Sequence, residues 1–484
     1  MYGRKSVGRI LSIIRMSVLC ALFSVLFLLL TPVGLQSASA RVYLCPEPLP
    51  HTKVLRSSPR YHLCDDGIWR RTPDTPPHSA FSTSYNDPHF HPNSGLASPL
   101  CYLRYSGAFH DHEPIVLLPG EPFSAEKTAV PDTSSAAVCC FTGDIMCFRG
   151  QQFEASTKHG FDFWPSYRLV AGIFNKADFV CGNLETLLSP SNPLTKDRKT
   201  DDDGTPLCNG PVELLNALRK AGYDMFVTAN NHSCDYLAEG IVETKKNLNE
   251  YNFANTGTSY PDGQPGPIGN FCIFDVKGIR IAILSYTHLI NRRDKMTPEE
   301  LDTLVNCYDY GNIRRDITTA KAAGAEFVVV YCHWGIENTE EITNYEILDS
   351  VKIAEAGADL IIGSHPHCLQ SGRFIETSDG RRVFCIYSMG NFCSSMERVF
   401  NNDTVILRLE LERDPSGSIN SALSYIPCRV MSHGSCSHVV VPIEPELNGG
   451  LSDKRLEETD ERISLIMEKI ENGTFARYSG QQAK

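Results

Sequence analysis

None of the eighteen cysteines stands in a C-x-x-C pair, so neither a zinc ribbon nor a thioredoxin-like redox motif is encoded. Long basic runs are also missing: none follows the first fifteen residues, and the formal net charge is -12. That balance argues against nucleic acid as a main partner. Residues 41–135 lack hydrophobic periodicity and are rich in Pro, Ser and His, which reads as an irregular extension. What is present is a globular composition, 42% hydrophobic and 21% charged over 484 residues, enough chain for about three average domains.

One long apolar run occurs, Met16 to Leu30, with Arg4, Lys5, Arg9 and Arg15 before it and Pro32, Gly34, Ala38 and Ala40 after it. A basic segment, an apolar stretch and an A-x-A site fit a secretory signal peptide. Including Ile10 to Ile14 lengthens the run towards the roughly 20 residues that span a bilayer, so a membrane anchor is the competing reading. On either reading the body of the chain is extracytoplasmic, secreted or membrane-anchored. Removing Cys20 from the count leaves seventeen cysteines, an odd number that leaves a thiol unpaired in an oxidising compartment. Cys139, Cys140, Cys181 and Cys332 sit in apolar runs as small hydrophobes. Cys45, Cys64 and Cys101 lie in polar sequence and are the disulfide candidates, with no pairing derivable. His89, His91, His110 and His112, scattered through the extension, read as solvated surface.

From Ala136 the pattern changes. The short apolar runs "AAVCCFTGD", "DFVCGN", "DMFVTAN", "EFVVVYCHW", "DLIIGSH" and "VFCIYSMGN" are bounded by turn residues and read as buried strands. Helical patterns lie between them, at Pro211 to Gly222 and Asn344 to Ala358, each with a glycine stop. Alternating strands and helices imply an α/β fold with parallel strands. The two apolar runs flanking Lys277 and Gly278 imply a hairpin and hence a mixed sheet. Residues 404–413 alternate as a half-exposed strand, and residues 452–472 form one amphipathic helix. The expected organisation is 1–40 leader or anchor, 41–135 extension, 136–440 catalytic-type domain, and 441–484 terminal helix and tail.

Polar residues gather where these strands end. Asp144 closes the first run; Asn183 and Glu185 follow the second; Asn230, Asn231 and His232 follow the third. His333, with Glu337 four residues on, ends the fourth, and His365 and His367 follow the fifth. Ligands in open α/β sheets collect beyond the carboxyl ends of strands, so these residues can converge on one pocket. Carboxylates, amides and imidazoles without a required thiolate suit one or two divalent ions such as Mn, Fe or Zn. Singly, each has an ordinary use: an Asn in a G-N pair closes a turn, and an Asp caps a helix. Arg149 reads as a fork for an anionic group or as a solvated helix residue. Glu337 is placed to orient His333 from behind. Trp334 and Tyr387 are expected to pack.

The ordered stretches "GDIMCFR", "GNLET", "ANNHSCD", "HWGIE", "SHPHCLQ" and "YSMGNF" resemble the motif set of the CapA/PgsA family of capsule or poly-γ-glutamate synthesis proteins, related to calcineurin-like metallophosphatases. The likeness spans Val138 to Val430. It implies a metallophosphatase-like layered sandwich with helices outside mixed β-sheets. It also implies a metal site with Asp144, Glu185 as the bridging carboxylate and His367, and a second with Asn231, His333 and His365. His232 would be the acid beside the leaving oxygen, with Asp235, Asn183, Asn230 and Asn391 supporting the pocket. Two departures from the phosphatase pattern stand out: Met146 occupies the position of a ligating histidine, and glutamate replaces the usual bridging aspartate. One metal site is therefore expected to be weakened, the one His367 faces. Ser364 stands where glycine is common.

Two functions follow as expectations. One is metal-dependent hydrolysis or transfer at an acyl or phosphoryl centre of a polyanionic γ-glutamyl polymer or a phosphorylated small substrate. The other is a non-catalytic accessory that keeps the fold and binds polymer or a membrane-bound synthase.

Overall fold

The computed structural model describes residues 59–72, 136–261, 270–473 and 475–478, all within one compact unit, Arg56–Lys484. The leader or anchor, Cys45, Cys101 and the four histidines of the extension lie outside the described residues. Among the described residues no helix is long and apolar enough to cross a membrane.

Two mixed sheets pack face to face. Edge to edge, the eight-stranded sheet runs Tyr61–Leu63, Ile68–Arg71, Phe271–Val276, Ile279–Thr287, Phe327–His333, Leu360–Ser364, Arg382–Ile386 and Gly372–Glu376. The nine-stranded sheet runs Cys436–Pro442, Ile419–His433, Asp403–Arg413, Ala137–Ile145, Phe179–Leu184, Met225–Val227 and Ala254–Thr256. Asn391–Cys393 is added beside Ala137–Ile145, and Ala476–Arg477 beside Ile419–His433. Each sheet has a parallel block, central in the first, where it starts at Ile279–Thr287, and running from Ala137–Ile145 to the edge strand Ala254–Thr256 in the second. Antiparallel strands flank the first block on both sides and the second on one.

Period-two alternation sorts the faces. Phe141, Phe179, Cys181, Ile281, Val329 and Tyr331 fill the space between the sheets, while their neighbours Val180, Phe226, Val328 and Val330 point outward against helices. Tyr331 crosses the gap, its hydroxyl donating to the carbonyls of Thr142 and Cys181 at 3.4 Å each. The outer helices follow from sequence: Leu214–Ala221 buries Leu214, Leu215 and Leu218 and stops at Gly222, whose φ of 115° only glycine adopts freely. Asn344–Glu355 starts on a capping box in which Thr343 and Glu346 exchange hydrogen bonds. Layers of helix, sheet, sheet and helix are the expected sandwich. The helix Lys454–Met467 is amphipathic as expected, but its Leu456, Ile463 and Ile466 close the open end of the inter-sheet core.

The expected hairpin is present, with Lys277 and Gly278 both at positive φ (51° and 80°), the turn that matches strand twist. The reading of residues 41–135 as wholly irregular needs correction. Residues 59–72 form a hairpin that extends the first sheet by pairing with Phe271–Val276. Its strands of three and four residues are too short to show a period. They are held instead by side chains: Tyr61 packs edge-on against Phe274 at 5.3 Å and Trp69 stacks on the same ring at 5.8 Å. Arg60 donates to both Asp224 oxygens, at 2.9 and 2.5 Å, and to the carbonyls of Phe174, Ala177 and Gly222. Asp224 is almost fully buried, so Arg60→Met strands a charge without its partner and is expected to destabilise the fold by about 3 kcal/mol. Urea denaturation at neutral pH checks this; a change under about 0.5 kcal/mol would show that the hairpin is not fastened there.

Every described cysteine is a free thiol, and all but Cys64 and Cys307 are buried. Burial raises the thiol pKa of Cys139 and Cys332 well above the ordinary value, consistent with inert packing.

Candidate metal centre

The parallel blocks bring their carboxyl ends to the same edge of the sandwich. One sheet supplies Asp144, in register with Asn183, then Glu185 and the Asn230–His232 turn. The other supplies His333, in register with Ser364, and the His365–Pro366–His367 turn that follows. Close approach is needed here: a Cβ on Gly143 would lie 2.1 Å from the Gly390 carbonyl oxygen, which accepts the Asp144 N–H at 3.0 Å. His365 and His367 both have left-handed backbones, φ 97° and 56°. Each costs on the order of 1 kcal/mol or more outside glycine, so the surroundings must hold them.

At the centre lie Asp144, Asn183 and Glu185, all completely buried. Asn183 spends both amide hydrogens on carboxylates, donating to Asp144 Oδ1 at 2.8 Å and Glu185 Oε2 at 3.5 Å. Its own Oδ1 accepts from Asn230 Nδ2 at 3.2 Å, which fixes the amide's orientation. His333 stands 3.0 Å from Ser364 Oγ through Nδ1 and 2.9 Å from Asn231 Oδ1 through Nε2. His365 Nδ1 is 3.2 Å from the same Nε2. Asn391 Oδ1 accepts from His367 Nδ1 at 2.9 Å, leaving His367 Nε2 as a lone pair 3.7 Å from Glu185 Oε1. His333 Nε2 is also 3.7 Å from that oxygen.

Glu185 Oε1 has no hydrogen-bond partner despite being sealed from solvent. An unpaired buried carboxylate oxygen is costly, yet two imidazole nitrogens, His333 Nε2 and His367 Nε2, stand 3.7 Å from it. In the tautomer that donates Nδ1–H to Ser364, His333 Nε2, Asn231 Oδ1 and His365 Nδ1 face one another as lone pairs, with Glu185 Oε1 3.7 Å from His333 Nε2. That arrangement suits a cation. Two ligand triads, Asp144–Glu185–His333 and Glu185–His365–His367, each have their donor atoms within 4.8 Å of one another. Oxygen and imidazole donors of this kind fit a divalent ion such as Mn, Fe or Zn.

Electrostatics agree. Burial, with Asp144 and Glu337 nearby, holds the Glu185 proton affinity well above the ordinary carboxylate range. Burial and the neighbouring imidazoles push His333 well below its usual value, and burial with His367 brings His365 down to about 3. Both are therefore neutral ligands at physiological pH. Burial also depresses His232, but the Asp235 carboxylate, 2.7 Å from its Nδ1, outweighs it and keeps the imidazole protonated above its ordinary range. Asp235 is itself fixed by the Cys208 N–H at 2.5 Å. Asn230 caps the short turn that carries His232.

Most sequence-picked residues therefore meet, but two expectations change, those for Glu337 and Arg149. Glu185 is common to both triads; the division the resemblance implies remains an expectation, with His367 Nδ1 3.5 Å from Asp144 Oδ2 and His333 Nε2 2.9 Å from Asn231 Oδ1 and 3.2 Å from His365 Nδ1. The histidine turn is tied to the first sheet by the His365 N–H, which donates to Asp144 Oδ2 at 3.2 Å. Glu337 does not orient His333, whose nitrogens already have Ser364 and Asn231; it lies exposed on the following turn. Arg149 is not brought into the cluster. It is exposed at the start of Arg149–Ala155, its guanidinium 4.9 Å above the Phe153 ring. Met146 is buried and offers no nitrogen. Trp334 and Tyr387 pack as expected, joined by Trp334 Nε1 donating to the Tyr387 carbonyl at 3.0 Å. Two residues were missed. Ser364 was noted only as an unusual non-glycine, yet it orients His333. Asn401 reaches the same loop from a distant segment and donates to the His367 carbonyl at 2.7 Å.

Known proteins match over this same region. A family model described as "Bacterial capsule synthesis protein PGA_cap" matches residues 138–396. A Bacillus anthracis protein, "Capsule biosynthesis protein CapA", is 28% identical over 295 residues, 60% of this chain and 66% of that protein, just under two thirds of its length. "PGA biosynthesis protein CapA" of Bacillus subtilis (strain 168) is 29% identical over 297 residues, 60% of this chain and 71% of that one. Among solved structures, Haemophilus influenzae NAD nucleotidase (NadN) aligns with a TM-score of 0.32 at 13% identity, covering 56% of this chain and 50% of that one. The Thermus sulfate thiohydrolase SoxB aligns with a TM-score of 0.33 at 15% identity, covering 62% and 46%. At these scores neither structure informs the chemistry of this chain.

Proposed function

The chain belongs to the PGA_cap family of bacterial capsule synthesis proteins, and from that premise we propose that it is an exported metal-dependent hydrolase or transferase in the synthesis or processing of a poly-γ-glutamate or capsule-type polymer. The observation that carries the enzymatic part is Glu185 Oε1, buried without a partner and equidistant, at 3.7 Å, from His333 Nε2 and His367 Nε2. The basic and apolar leader, Arg4 to Leu30, supports export.

Asp144, Glu185, Asn231, His333, His365 and His367 would hold one or two divalent ions. A divalent ion bound there supplies Lewis acidity to an acyl or phosphoryl oxygen and lowers the pKa of water. The chain's own groups do the rest. Asn183 keeps both carboxylates aimed inward, Ser364 and Asn391 set which imidazole nitrogens are free, and His232, kept protonated by Asp235, gives its proton to the leaving oxygen. With the net charge at -12, a polyanionic substrate must be gathered by a bound ion and local cations rather than by the protein's overall field.

A second reading, a non-catalytic polymer-binding or synthase-associated protein, is favoured by Met146, a thioether where related phosphatases have a ligand. The purified chain separates the two by bound-metal analysis, phosphate release from aryl phosphates and shortening of γ-glutamyl polymer. The enzyme reading expects bound ion and at least one turnover; metal-free protein inert on both substrates would leave only the binding role.

A further inference from the structure

Asn401 lies beyond residue 396, where the family match ends, in the turn Val399–Asn402. It is completely buried, and its side-chain amide joins two segments of the metal centre while its main-chain carbonyl reaches a third. Nδ2 donates to the His367 carbonyl at 2.7 Å and to Asn338 Oδ1 at 3.1 Å. The Asn401 carbonyl accepts from Asn391 Nδ2 at 3.2 Å, and Asn391 is the residue that orients the His367 ring. Asn338 in turn donates its main-chain N–H to the Pro366 carbonyl at 2.8 Å.

What these bonds hold is strained. His365, His367 and Asn338 all have positive φ, at 97°, 56° and 60°, and such backbones persist only where surrounding structure over-determines them. The clasp has its own anchor. Two residues on, the buried Asp403 accepts from Arg429 Nη1 at 2.6 Å, from Thr459 Oγ1 at 3.1 Å, and from Arg462 Nε and Nη2 at 2.6 and 3.0 Å. Thr459 and Arg462 belong to the helix Lys454–Met467, so the C-terminal part of the chain grips the histidine turn through Asn401.

We propose that Asn401 is a positioning residue of the metal centre: it holds the His365–Pro366–His367 turn in its left-handed form, and so sets the affinity for the ion shared by Glu185, His365 and His367. The chain beyond residue 396 then completes the centre. This rests on the metal-binding reading above. Groups that orient ligands from behind typically change metal affinity by about 10- to 100-fold when removed.

The test is calorimetric titration of the full chain, stripped with chelator, using Mn²⁺ alone, together with melting curves with and without the ion. Asn401→Ala is expected to weaken the weaker-bound ion by about 10- to 100-fold and to shrink the ion-dependent rise in Tm. The stripped Tm should stay close to wild type. Asn338→Ala, which removes only one of the two Nδ2 bonds, should shift affinity in the same direction by less. Asn402→Ala, whose amide merely donates to the Arg398 carbonyl, should titrate like wild type. Unchanged affinity in Asn401→Ala, or an equal fall of Tm in stripped and loaded protein, would mean a purely structural amide and overturn the proposal. Should Asn401→Ala fail to fold, Asn338→Ala decides by the same criterion. Wild type that takes up no ion sinks the metal reading as well, whereas wild type that binds beside unaffected variants sinks this inference alone.

Discussion

Glu185→Gln is expected to lose ion binding in both triads together with all turnover, and to make the stripped protein more stable than wild type. The two effects have one origin. Glu185 is the carboxylate common to both ligand groups, so its replacement by a neutral amide removes the charge around which any ion would be held. In the stripped protein the same group is a liability, because burial holds its proton and Oε1 is sealed from solvent without a donor, and relieving an unmet buried polar atom is worth about 1–3 kcal/mol. The pH dependence has a definite sign. Folding holds the Glu185 proton more tightly than the unfolded chain does, so above the ordinary carboxylate range unfolding releases a proton and this residue's contribution falls as pH rises. His333 and His365 act oppositely: their depressed values mean that unfolding takes up protons once pH falls below about 6.5, and stability is lost on the acid side. Urea denaturation of stripped wild type and Glu185→Gln from about pH 5 to about pH 8 separates the two slopes. A variant that still binds an ion stoichiometrically, or that is less stable than stripped wild type at the upper pH, would remove Glu185 from the centre of the argument.

His232→Asn is expected to lower kcat by about two to four orders of magnitude, the usual share of a general acid, while ion content stays at the wild-type level. His232 makes no contact with Glu185 and is bound instead to Asp235. The Asp235 carboxylate keeps the imidazole protonated above its usual range, so wild-type activity should persist past about pH 6.5 and fall as pH rises through the elevated value. That alkaline limb should vanish in His232→Asn and move to lower pH in Asp235→Asn, which leaves burial unopposed. A pH–rate profile on an aryl phosphate reads both effects. A normal alkaline limb in His232→Asn would assign the proton transfer to another group.

Short apolar runs bounded by turn residues were enough to find the parallel blocks, because fully buried strands need apolar side chains on both faces. Lys277 and Gly278 announced their hairpin because its turn demands two positive φ values. The strand ends announced the centre through repetition of residue type: Asp144, Glu185, His333 and His367 each follow an apolar run, although singly each has an ordinary use. Contacts made across long sequence separations left no such mark. Arg60 meets Asp224 across 164 residues and Asn401 meets His367 across 34, and neither has a periodic pattern or a motif. Glu337 and Arg149 failed for a different reason: spacing along the chain shows that two residues are near one another, but the nitrogens of His333 had already been taken by Ser364 and Asn231, and Arg149 had a closer ring to cover.

The origin of the ligands in two separate sheets has a mechanical consequence. Asp144 and Glu185 belong to one sheet's parallel block, and His333 with the histidine turn belongs to the other's, while among the described residues no disulfide joins the two. An ion seated between them is a cross-link at the one edge of the sandwich where polar residues replace the apolar filling. Ion loss would unfasten that edge first, letting amide hydrogens at the ends of Phe327–His333 and Phe179–Leu184 exchange while the far end of the same strands stays closed. Metal supply would thereby govern the lifetime of the folded protein as well as its chemistry.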